Sequence, residues 1–583
     1  MKRTPFSKLS FTMTGNRGAA LEMARSRIVL LALVFIVAYT IVGIRLFDVM
    51  ILQGRFWQDV EDTRAVEAAV QTKAPEAVRR GDIVDRNGAI LATSLKTASL
   101  FADPALIVDA QETAKALAAL FPENTYENYL EKLQKKGRFV WLKRNLVPEE
   151  QHAVMLIGDP GLAFQEEYKR TYPQGQLAPH IVGYVSRDEM GQAGLERAFN
   201  GLLETEETVL KTTLDIRLQH ALRQEIANTI DIFSAKGGAG VIMNINNGDV
   251  LALVSLPDFD PNKREKLDGD QIFNRATLGV YELGSVFKIF STAALLEKFP
   301  DALSMTFDAR EPLKRGRFTI SDYHPEKRVL TVPEVFMVSS NIGTALMGEE
   351  IGTEGLKAFY KKLGLLSKPD ISLREVGAPL YPRPWRDINT LTASYGHGVA
   401  VSPIQLVAAV APIVNGGLQV TPRFLKPEGE EEVTKTTAMR VYDEQNGEIM
   451  RSLMRLVVTE GTAKKADVPG YEVGGKTGTA EKPGAKGYDR KRLISSFMGA
   501  FPMSAPKYAV FVAIDEPQGT KESYGYATAG WTAAPTVARV VERMVSILGI
   551  PPVGVATAET QEDAEDMGAK TQLIAQPVKG QAL

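Results

Sequence analysis

The apolar and polar positions along the chain divide it into an apolar N-terminal run and two larger regions of mixed pattern. Residues 28–44 carry no charge, and a largely apolar stretch continues to residue 52. A membrane-spanning helix needs roughly 17–25 apolar residues, so a transmembrane anchor is predicted over 28–52. The excess of Lys and Arg before it predicts that residues 1–27 are cytoplasmic and the rest lies outside. A cleaved signal peptide is disfavoured because no small-x-small site closes the run.

Between residues 53 and 205 short strand-like and helical patterns alternate, which predicts a folded unit of its own. Asn87-Gly88 stands between two short apolar stretches and predicts a tight turn, because both residue types tolerate positive φ. Residues 194–201 predict a helix that a glycine ends, close to a domain boundary.

Residues 206–552 predict an α+β domain with an antiparallel sheet flanked by helices. Two apolar strands flank Asn246-Asn-Gly-Asp249, which is the pattern of a β-hairpin. Helical patterns fill the middle, and two strands and a last helix end the region, so the sheet is expected to combine both ends of the domain. Residues 553–583 are rich in Ala, Glu, Gln and Asp and poor in aromatic residues, which predicts a disordered tail.

The amino-acid composition excludes several classes of partner and of active site. The formal net charge of −2 provides no overall basic field, so no nucleic-acid partner is predicted. The absence of cysteine excludes disulfides, a thiol nucleophile, and zinc–thiolate or iron–sulfur sites. The 5 His residues show no metal-ligand spacing, so neither a metal nor a cofactor is predicted. Any catalytic base is then expected to be Lys, Glu or Asp.

Three short motifs follow one another: Ser285-Val-Phe-Lys288, Ser339-Ser-Asn341 and Lys476-Thr-Gly-Thr479. Ser285 and Lys288 are three residues apart on a predicted helix and therefore share a face. A serine hydroxyl is a weak nucleophile until a base takes its proton, and a Lys with a pKa lowered by burial is the natural base here. The first motif thus predicts acyl transfer through Ser285.

The third motif is predicted to lie on a strand at the edge of the site. Gly478 lacks a side chain, which lets a peptide substrate lie alongside as an added strand. Thr477 and Thr479 are candidates to hydrogen-bond a substrate carboxylate, and Lys476 supplies positive charge for it. The backbone N–H groups of Ser285 and Thr479 are the predicted oxyanion donors.

A serine followed three residues later by lysine is a weak signal alone. Ser504-Ala-Pro-Lys507 also matches, but Pro506 breaks a helix there. The ordered set of three motifs is much more specific, and it resembles that of the penicillin-binding protein superfamily.

The resemblance extends beyond the three motifs. Arg80-Gly-Asp-Ile-Val-Asp-Arg-Asn-Gly88 resembles the pedestal motif of the class B, monofunctional members. Asn274-Arg-Ala and Tyr395-Gly-His-Gly-Val-Ala-Val-Ser-Pro-Ile-Gln405 are also similar to family segments. Within class B, the chain is most similar to the septal, FtsI-type transpeptidases. One departure is Leu283, where many relatives have proline, and it bears on the rigidity of the following helix start rather than on the chemistry.

This resemblance implies an elongated pedestal domain over 53–205 and a β-lactamase-like serine transpeptidase domain over 206–552. It also implies a role for each polar side chain of the three motifs. In that scheme Ser285 is the nucleophile, Lys288 is the base for acylation, Ser339 relays a proton, Asn341 holds the substrate and Lys288, and Lys476 completes the relay.

The implied reaction is cross-linking of peptidoglycan. Ser285 would attack the D-Ala-D-Ala bond of a stem peptide, and an amine of a neighbouring stem would take the acyl group. β-Lactams are the implied inhibitors. The implied location is the inner membrane at the division septum, with the catalytic domain in the periplasm and with a polytopic glycan polymerase and other division proteins as partners.

Three alternatives stay open at this point. The first is an elongation-type class B transpeptidase, and the second is a D,D-carboxypeptidase or β-lactamase in which water replaces the amine. The third is a non-catalytic, β-lactam-binding scaffold. His397 stands between two glycines in the family-like segment, and we interpret it as structural rather than catalytic.

Overall fold

The structure is a computed structural model and describes residues 16–47, 79–205, 208–263, 267–427, 439–484 and 487–554. The chain separates into two compact units, Met1–Ala77 and Val78–Leu583.

Helix α1 (Asn16–Phe47) is the described part of the first unit, and the side chains of residues 29–45 are exposed. Within the described ranges, no helix combines the length and apolar character needed to cross a membrane. The anchor predicted at 28–52 therefore stays a prediction, and its residues 48–52 lie outside the described residues. The predicted tail lies outside them as well, apart from residues 553 and 554.

The second unit begins with a sheet in which β2 pairs with β1, β3 and β4, and β1 pairs in parallel with β7. The turn predicted at Asn87-Gly88 is confirmed. The Asp85 carboxylate accepts hydrogen bonds from the N–H groups of Asn87 and Ala89 at 2.7 and 2.8 Å, and Gly88 has φ 91°. The strands of this part are β1 (Asp82–Val84), β2 (Ile90–Ala102), β3 (Val140–Leu146), β4 (Leu162–Thr171), β5 (Tyr184–Val185), β6 (Gly191–Ala193) and β7 (Val209–Lys211).

Of the six helices described in this part, the first three enclose a small apolar core that includes Leu117, Phe121 and Tyr129, whereas the other three place Ile181, Leu195 and Leu203 in a larger core. The six helices are α2 (Ala110–Leu120), α3 (Tyr126–Leu133), α4 (Pro148–Met155), α5 (Pro179–Val182), α6 (Gly194–Ala198) and α7 (Asn200–Leu203).

The single helix predicted over 194–201 is wrong. Two short helices replace it, and Gly201 lies inside the second instead of ending the first. The Asn200 side chain explains the break, because its Oδ1 atom accepts hydrogen bonds from Arg80 at 3.0 Å and from the N–H of Gly191 at 2.8 Å. These tertiary bonds redirect the chain at a point that local sequence does not reveal.

A buried ion triad joins the pieces of this part. The Glu196 carboxylate accepts from Arg80 at 2.9 Å and from Arg170 at 2.6 Å, and all three side chains are almost completely buried. Charges removed from water are tolerated only when paired and hydrogen-bonded. Arg80 is therefore part of the internal framework rather than a solvated residue.

The rest of the unit contains a five-stranded antiparallel sheet in the order β14-β15-β16-β8-β9, as predicted for an α+β domain whose sheet combines both ends of the region. The hairpin predicted around residues 246–249 joins β8 to β9. Added Cβ atoms at Gly238 and Gly240 would lie 2.7 and 2.5 Å from Ile226, so these glycines allow a helix to pack closely on β8. The strands are β8 (Gly237–Asn244), β9 (Val250–Leu256), β14 (Gly474–Gly484), β15 (Gly487–Phe501) and β16 (Tyr508–Asp515), and β10 (Thr306–Asp308), β11 (Leu313–Arg315), β12 (Phe318–Ile320) and β13 (Val329–Thr331) form two small hairpin-like pairs between them.

Helices pack on the sheet and around a central buried helix, α10, whose residues 288–296 are all buried. The helices are α8 (Ile216–Ile232), α9 (Gly269–Ile272), α10 (Lys288–Lys298), α11 (Val332–Val338), α12 (Asn341–Ile351), α13 (Thr353–Lys362), α14 (Asp387–Ser394), α15 (Pro403–Val414), α16 (Glu444–Thr459) and α17 (Ala533–Leu548). The last helix lies against the first of these, where Thr229 and Thr536 share a hydrogen bond at 2.7 Å.

Candidate active site

The first motif forms a tight turn that leads into the central helix. A 3₁₀ turn covers Gly284–Phe287 and α10 starts at Lys288, so the helix predicted from Ser285 begins one turn later than expected. Gly284 has φ 55°, and an added Cβ would lie 2.9 Å from the carbonyl oxygen of Thr479. Ser285 is partly exposed between buried neighbours, which leaves its hydroxyl accessible at the start of a helix.

The second motif lies at a break between two helices. Helix α11 ends at Val338 and is followed by Ser339, whose φ of 63° is left-handed, and α12 begins at Asn341 with Ser340 as its N-cap. A left-handed conformation is costly for a residue with a Cβ, and it persists where tertiary structure demands it. The break turns the side chains of Ser339 and Asn341 toward Lys288.

The amine of Lys288 is surrounded by acceptors from this break. Its Nζ atom donates to Asn341 Oδ1 at 2.8 Å and to Ser339 Oγ at 3.2 Å, and also contacts the carbonyl oxygen of Ser339. The side chain is fully buried. Ser339 and Asn341 of the second motif thus fix the position of the Lys288 amine, three residues after Ser285.

The third motif lies on β14, the strand at one end of the sheet, as its extended sequence predicted. Lys476 is fully buried, and its Nζ atom donates to Ser339 Oγ at 2.9 Å. All three motifs therefore contribute to a single hydrogen-bonded group. It consists of Lys288 from the first motif, Ser339 and Asn341 from the second, and Lys476 from the third.

Burial sets the electrostatics of this group. It lowers the pKa of Lys288 well below its usual value, and the nearby positive charge of Lys476 lowers this pKa further. The negative charge of Asp322 raises it. Burial lowers the pKa of Lys476 to about 7. An amine with a pKa near 7 exchanges protons near neutral pH, which an ordinary lysine does not.

Gly478 has a structural task in addition to the predicted one. An added Cβ would lie 2.2 Å from the carbonyl oxygen of Leu283 and 2.7 Å from a methyl group of Val286. The glycine therefore lets β14 pack directly against the turn that carries Ser285. Its predicted contact with a peptide substrate stays a prediction.

The two threonines of the third motif are held by neighbouring loops. Thr477 Oγ1 shares a hydrogen bond with Thr462 Oγ1 at 2.7 Å, and Thr479 Oγ1 accepts from the N–H of Ala529 at 3.2 Å. Thr477 is largely buried and Thr479 is partly exposed. Their predicted binding of a substrate carboxylate stays a prediction.

Sequence reasoning missed one carboxylate next to the site. Asp322 accepts from the Ser340 hydroxyl at 2.7 Å and from the N–H of Ile342 at 2.9 Å, and it thereby holds the start of α12. It precedes the motif in a loop, so no spacing rule would have selected it. Within the described ranges, no group of three or more His, Asp or Glu side chains is placed to hold a metal ion.

Two further residues near the nucleophile were also missed or set aside. The carboxylate of Glu282, three residues before Ser285, accepts from the hydroxyl of Tyr488 and from the N–H of Gly398. His397 lies with its ring 5.4 Å from that of Tyr488, and burial and the charge of Lys288 lower its pKa. The sequence signal for Glu282 is its closeness to Ser285, and that for His397 is its place between two glycines in the family-like segment.

Comparisons with known proteins agree with this geometry. Residues 238–540 match the penicillin binding protein transpeptidase domain, and residues 75–225 match the penicillin-binding protein dimerisation domain. The chain is 38% identical over 490 residues to the probable peptidoglycan D,D-transpeptidase FtsI of Caulobacter vibrioides, covering 81% of this chain and 82% of that one. It is 31% identical over 554 residues to the probable peptidoglycan D,D-transpeptidase PenA of Neisseria gonorrhoeae, covering 88% and 92%.

Solved structures agree at the level of the fold. A crystal structure of penicillin binding protein 3 from Mycobacterium tuberculosis, complexed with aztreonam, superimposes with a TM-score of 0.64 at 23% identity, covering 82% of this chain and 97% of that one. The motifs, the two domain matches and the extent of the alignments lead to one conclusion. The chain belongs to the class B penicillin-binding proteins, in which a dimerisation domain precedes a transpeptidase domain.

Proposed function

We propose that this protein is a peptidoglycan D,D-transpeptidase that cross-links stem peptides through an acyl-enzyme on Ser285. The observation that carries the proposal is the meeting of two fully buried lysines, Lys288 and Lys476, on the Oγ atom of Ser339. Such a pair moves protons near neutral pH, as serine acyl transfer requires. It lies where the turn that carries Ser285 packs against β14, the edge strand of the sheet.

These positions support the following acylation step. The Ser285 hydroxyl attacks the carbonyl carbon between the two D-Ala residues, and its proton passes to the neutral amine of Lys288. The negative oxygen of the tetrahedral intermediate is stabilised by the N–H groups of Ser285 and Thr479, and one such donor lowers a barrier by roughly 2.7–4 kcal/mol. The C–N bond then breaks, and the terminal D-Ala leaves as its amine takes from the lysine pair the proton that Ser285 gave up.

The second half of the reaction reverses the first with a new amine. The amine of a neighbouring stem attacks the ester carbonyl, loses a proton to the lysine pair, and displaces the Ser285 oxygen, which regains its proton. Ser339 bridges Lys288 and Lys476 and is placed to pass protons between them. Asn341 orients Lys288 through its Oδ1 atom, while its Nδ2 group donates to the carbonyl oxygen of Ser321 at 3.1 Å.

The edge strand supports donor binding. A stem peptide lying antiparallel along β14 would place its terminal carboxylate near the hydroxyls of Thr477 and Thr479, with Gly478 between them. Lys476 adds positive charge behind the strand. This arrangement explains why the same site binds β-lactams, which present a carboxylate next to a reactive carbonyl.

The direct test is labelling with a fluorescent penicillin, with the adduct located by mass spectrometry. We expect a stable adduct on Ser285 that is lost in Ser285→Ala and retained in Ser504→Ala, the matched control from the second Ser-x-x-Lys sequence. An adduct elsewhere, or none, would contradict the proposal and favour a scaffold. An adduct that hydrolyses within seconds would favour a β-lactamase.

The transpeptidase is proposed to act at the division septum from the inner membrane, beside a polytopic glycan polymerase and other division proteins. The exposed apolar side chains of residues 29–44 support membrane association of α1, because such a surface is unfavourable in water. Retention of the protein in carbonate-washed membranes and a midcell signal from a fluorescent fusion are the expected results. A uniform lateral signal would favour an elongation role.

A further inference from the structure

A hydrogen-bonded bridge crosses the site beyond the three motifs. The hydroxyl of Tyr488 lies 3.0 and 2.9 Å from the two carboxylate oxygens of Glu282, and the N–H of Gly398 donates to Oε1 at 3.0 Å. Glu282 is partly buried, and a carboxylate in such a place is costly unless donors satisfy it. Tyr488 and Gly398 supply them.

The bridge connects the two elements between which the reaction takes place. Glu282 lies two residues before the turn that carries Ser285, whereas Tyr488 lies on β15 opposite Pro483, on the hairpin that continues the edge strand β14. The same turn meets β14 again where Gly284 approaches Thr479. The turn, the Glu282–Tyr488 bridge, the hairpin and the strand therefore form a closed ring beside Ser285.

The loop that contributes Gly398 reinforces this ring. An added Cβ at Gly396 would lie 2.0 Å from the carbonyl oxygen of Gly284, so the loop backbone touches the nucleophile turn. The ring of His397 lies 5.3 Å from that of Tyr395 and 5.4 Å from that of Tyr488. The loop thus holds the tyrosine from one side while Glu282 holds its hydroxyl.

The geometry points to Glu282 and Tyr488 as positioning residues for acylation: their hydrogen bond fixes the spacing between the Ser285 turn and β14. The inference rests on the proposed function, since it assigns the two oxyanion donors to the two elements that the bridge joins. A shift of about 1 Å between such groups costs up to about 100-fold in rate. Neither residue needs to touch the substrate to have this effect.

The test measures acylation of the full-length protein by a fluorescent penicillin under stopped flow, which separates the limiting acylation rate from the initial binding constant. We expect Tyr488→Phe and Glu282→Ala each to lower the limiting rate about fivefold or more with little change in initial binding. The double variant should be no slower than Glu282→Ala, because both changes remove one interaction. Glu282→Gln should retain most of the rate, since its amide oxygen still accepts hydrogen bonds.

Tyr323→Phe is the matched control, because Tyr323 is 70% exposed on another loop, and its rate should equal that of the wild type. Three results would overturn the inference: a wild-type rate in Tyr488→Phe, losses that multiply in the double variant, or losses that track a fall in melting temperature. Failure of the proposed function itself would look different, because the wild type would then form no adduct on Ser285.

Discussion

Lys288 and Lys476 donate hydrogen bonds to one shared acceptor, the Oγ atom of Ser339, at 3.2 and 2.9 Å. Both side chains are fully buried, so two positive charges there would repel one another in a medium of low dielectric constant. The pair is therefore expected to lose a proton near neutral pH, and its titration belongs to both residues together. One neutral amine beside a charged one provides a base and an acid in the same site.

The rate of acylation should therefore rise with pH through about 7. The pKa of Lys476 is lowered to about 7 from the usual 10.5, so the pair is more protonated at lower pH and has less capacity to accept the Ser285 proton. Stopped-flow acylation by a fluorescent penicillin between about pH 5.5 and 9 measures the profile. A rate that stays constant between about pH 6 and 8 would contradict the shared titration.

Lys476→Met should abolish acylation and stabilise the fold at pH 7. The unfolded chain binds a proton on Lys476 up to about pH 10.5 and the folded chain only up to about 7, so stability rises with pH in that window. Holding the amine buried at pH 7 costs on the order of a few kcal/mol, which Met avoids. Unfolding melts should show a stability gain that shrinks toward pH 10, and Lys357→Met, at a half-exposed position, should show neither effect.

The sequence predicted which residues form the hydrogen-bonded group, but not the left-handed break between two helices that brings them together. Residue chemistry selected Lys288 as the base and Lys476 as a positive charge, and the resemblance to the penicillin-binding proteins added Ser339 and Asn341. The left-handed Ser339 was not predictable, since nothing local to it favours φ 63°. Tertiary contacts also decided the break at Phe199, where a helical pattern splits into two short helices.

Asp322 is expected to be a positioning residue for the second motif. Asp322→Ala removes the acceptor for the Ser340 hydroxyl and the N–H of Ile342, so α12 should lose its fixed start and acylation should fall by about tenfold. Asp322→Asn keeps one acceptor and should retain more of the rate. It also removes a negative charge that raises the pKa of Lys288, so its pH profile should move to lower pH.

The comparison for Asp322 is Asp308→Asn, at an exposed aspartate on β10, which should leave both rate and profile unchanged. An Asp322→Asn profile that moves to higher pH would contradict the assigned electrostatic effect.

Gly478→Ala should disable the site through packing rather than through loss of a substrate contact. The new methyl group would lie 2.2 Å from the carbonyl oxygen of Leu283, and backbone must move to accept it. We expect a loss of acylation of more than about tenfold and a lower melting temperature. Gly269→Ala, where no atom lies within 4 Å of the added Cβ, is the control. A stable but unreactive Gly478→Ala protein would instead favour the substrate contact.

Glu196 should be the most sensitive carboxylate outside the active site. Glu196→Ala leaves the buried guanidinium groups of Arg80 and Arg170 without their shared partner, and breaking a buried ion pair in this way costs about 3–5 kcal/mol. Glu166→Ala removes an ion pair of similar length, 2.8 Å to Lys96, but Glu166 is 77% exposed, so the loss should be below about 1 kcal/mol. Urea unfolding of the two variants measures the contrast. Equal losses would mean that the buried triad contributes no more to stability than an exposed ion pair. Apolar packing alone would then hold the segments that carry Arg80, Arg170 and Glu196 together.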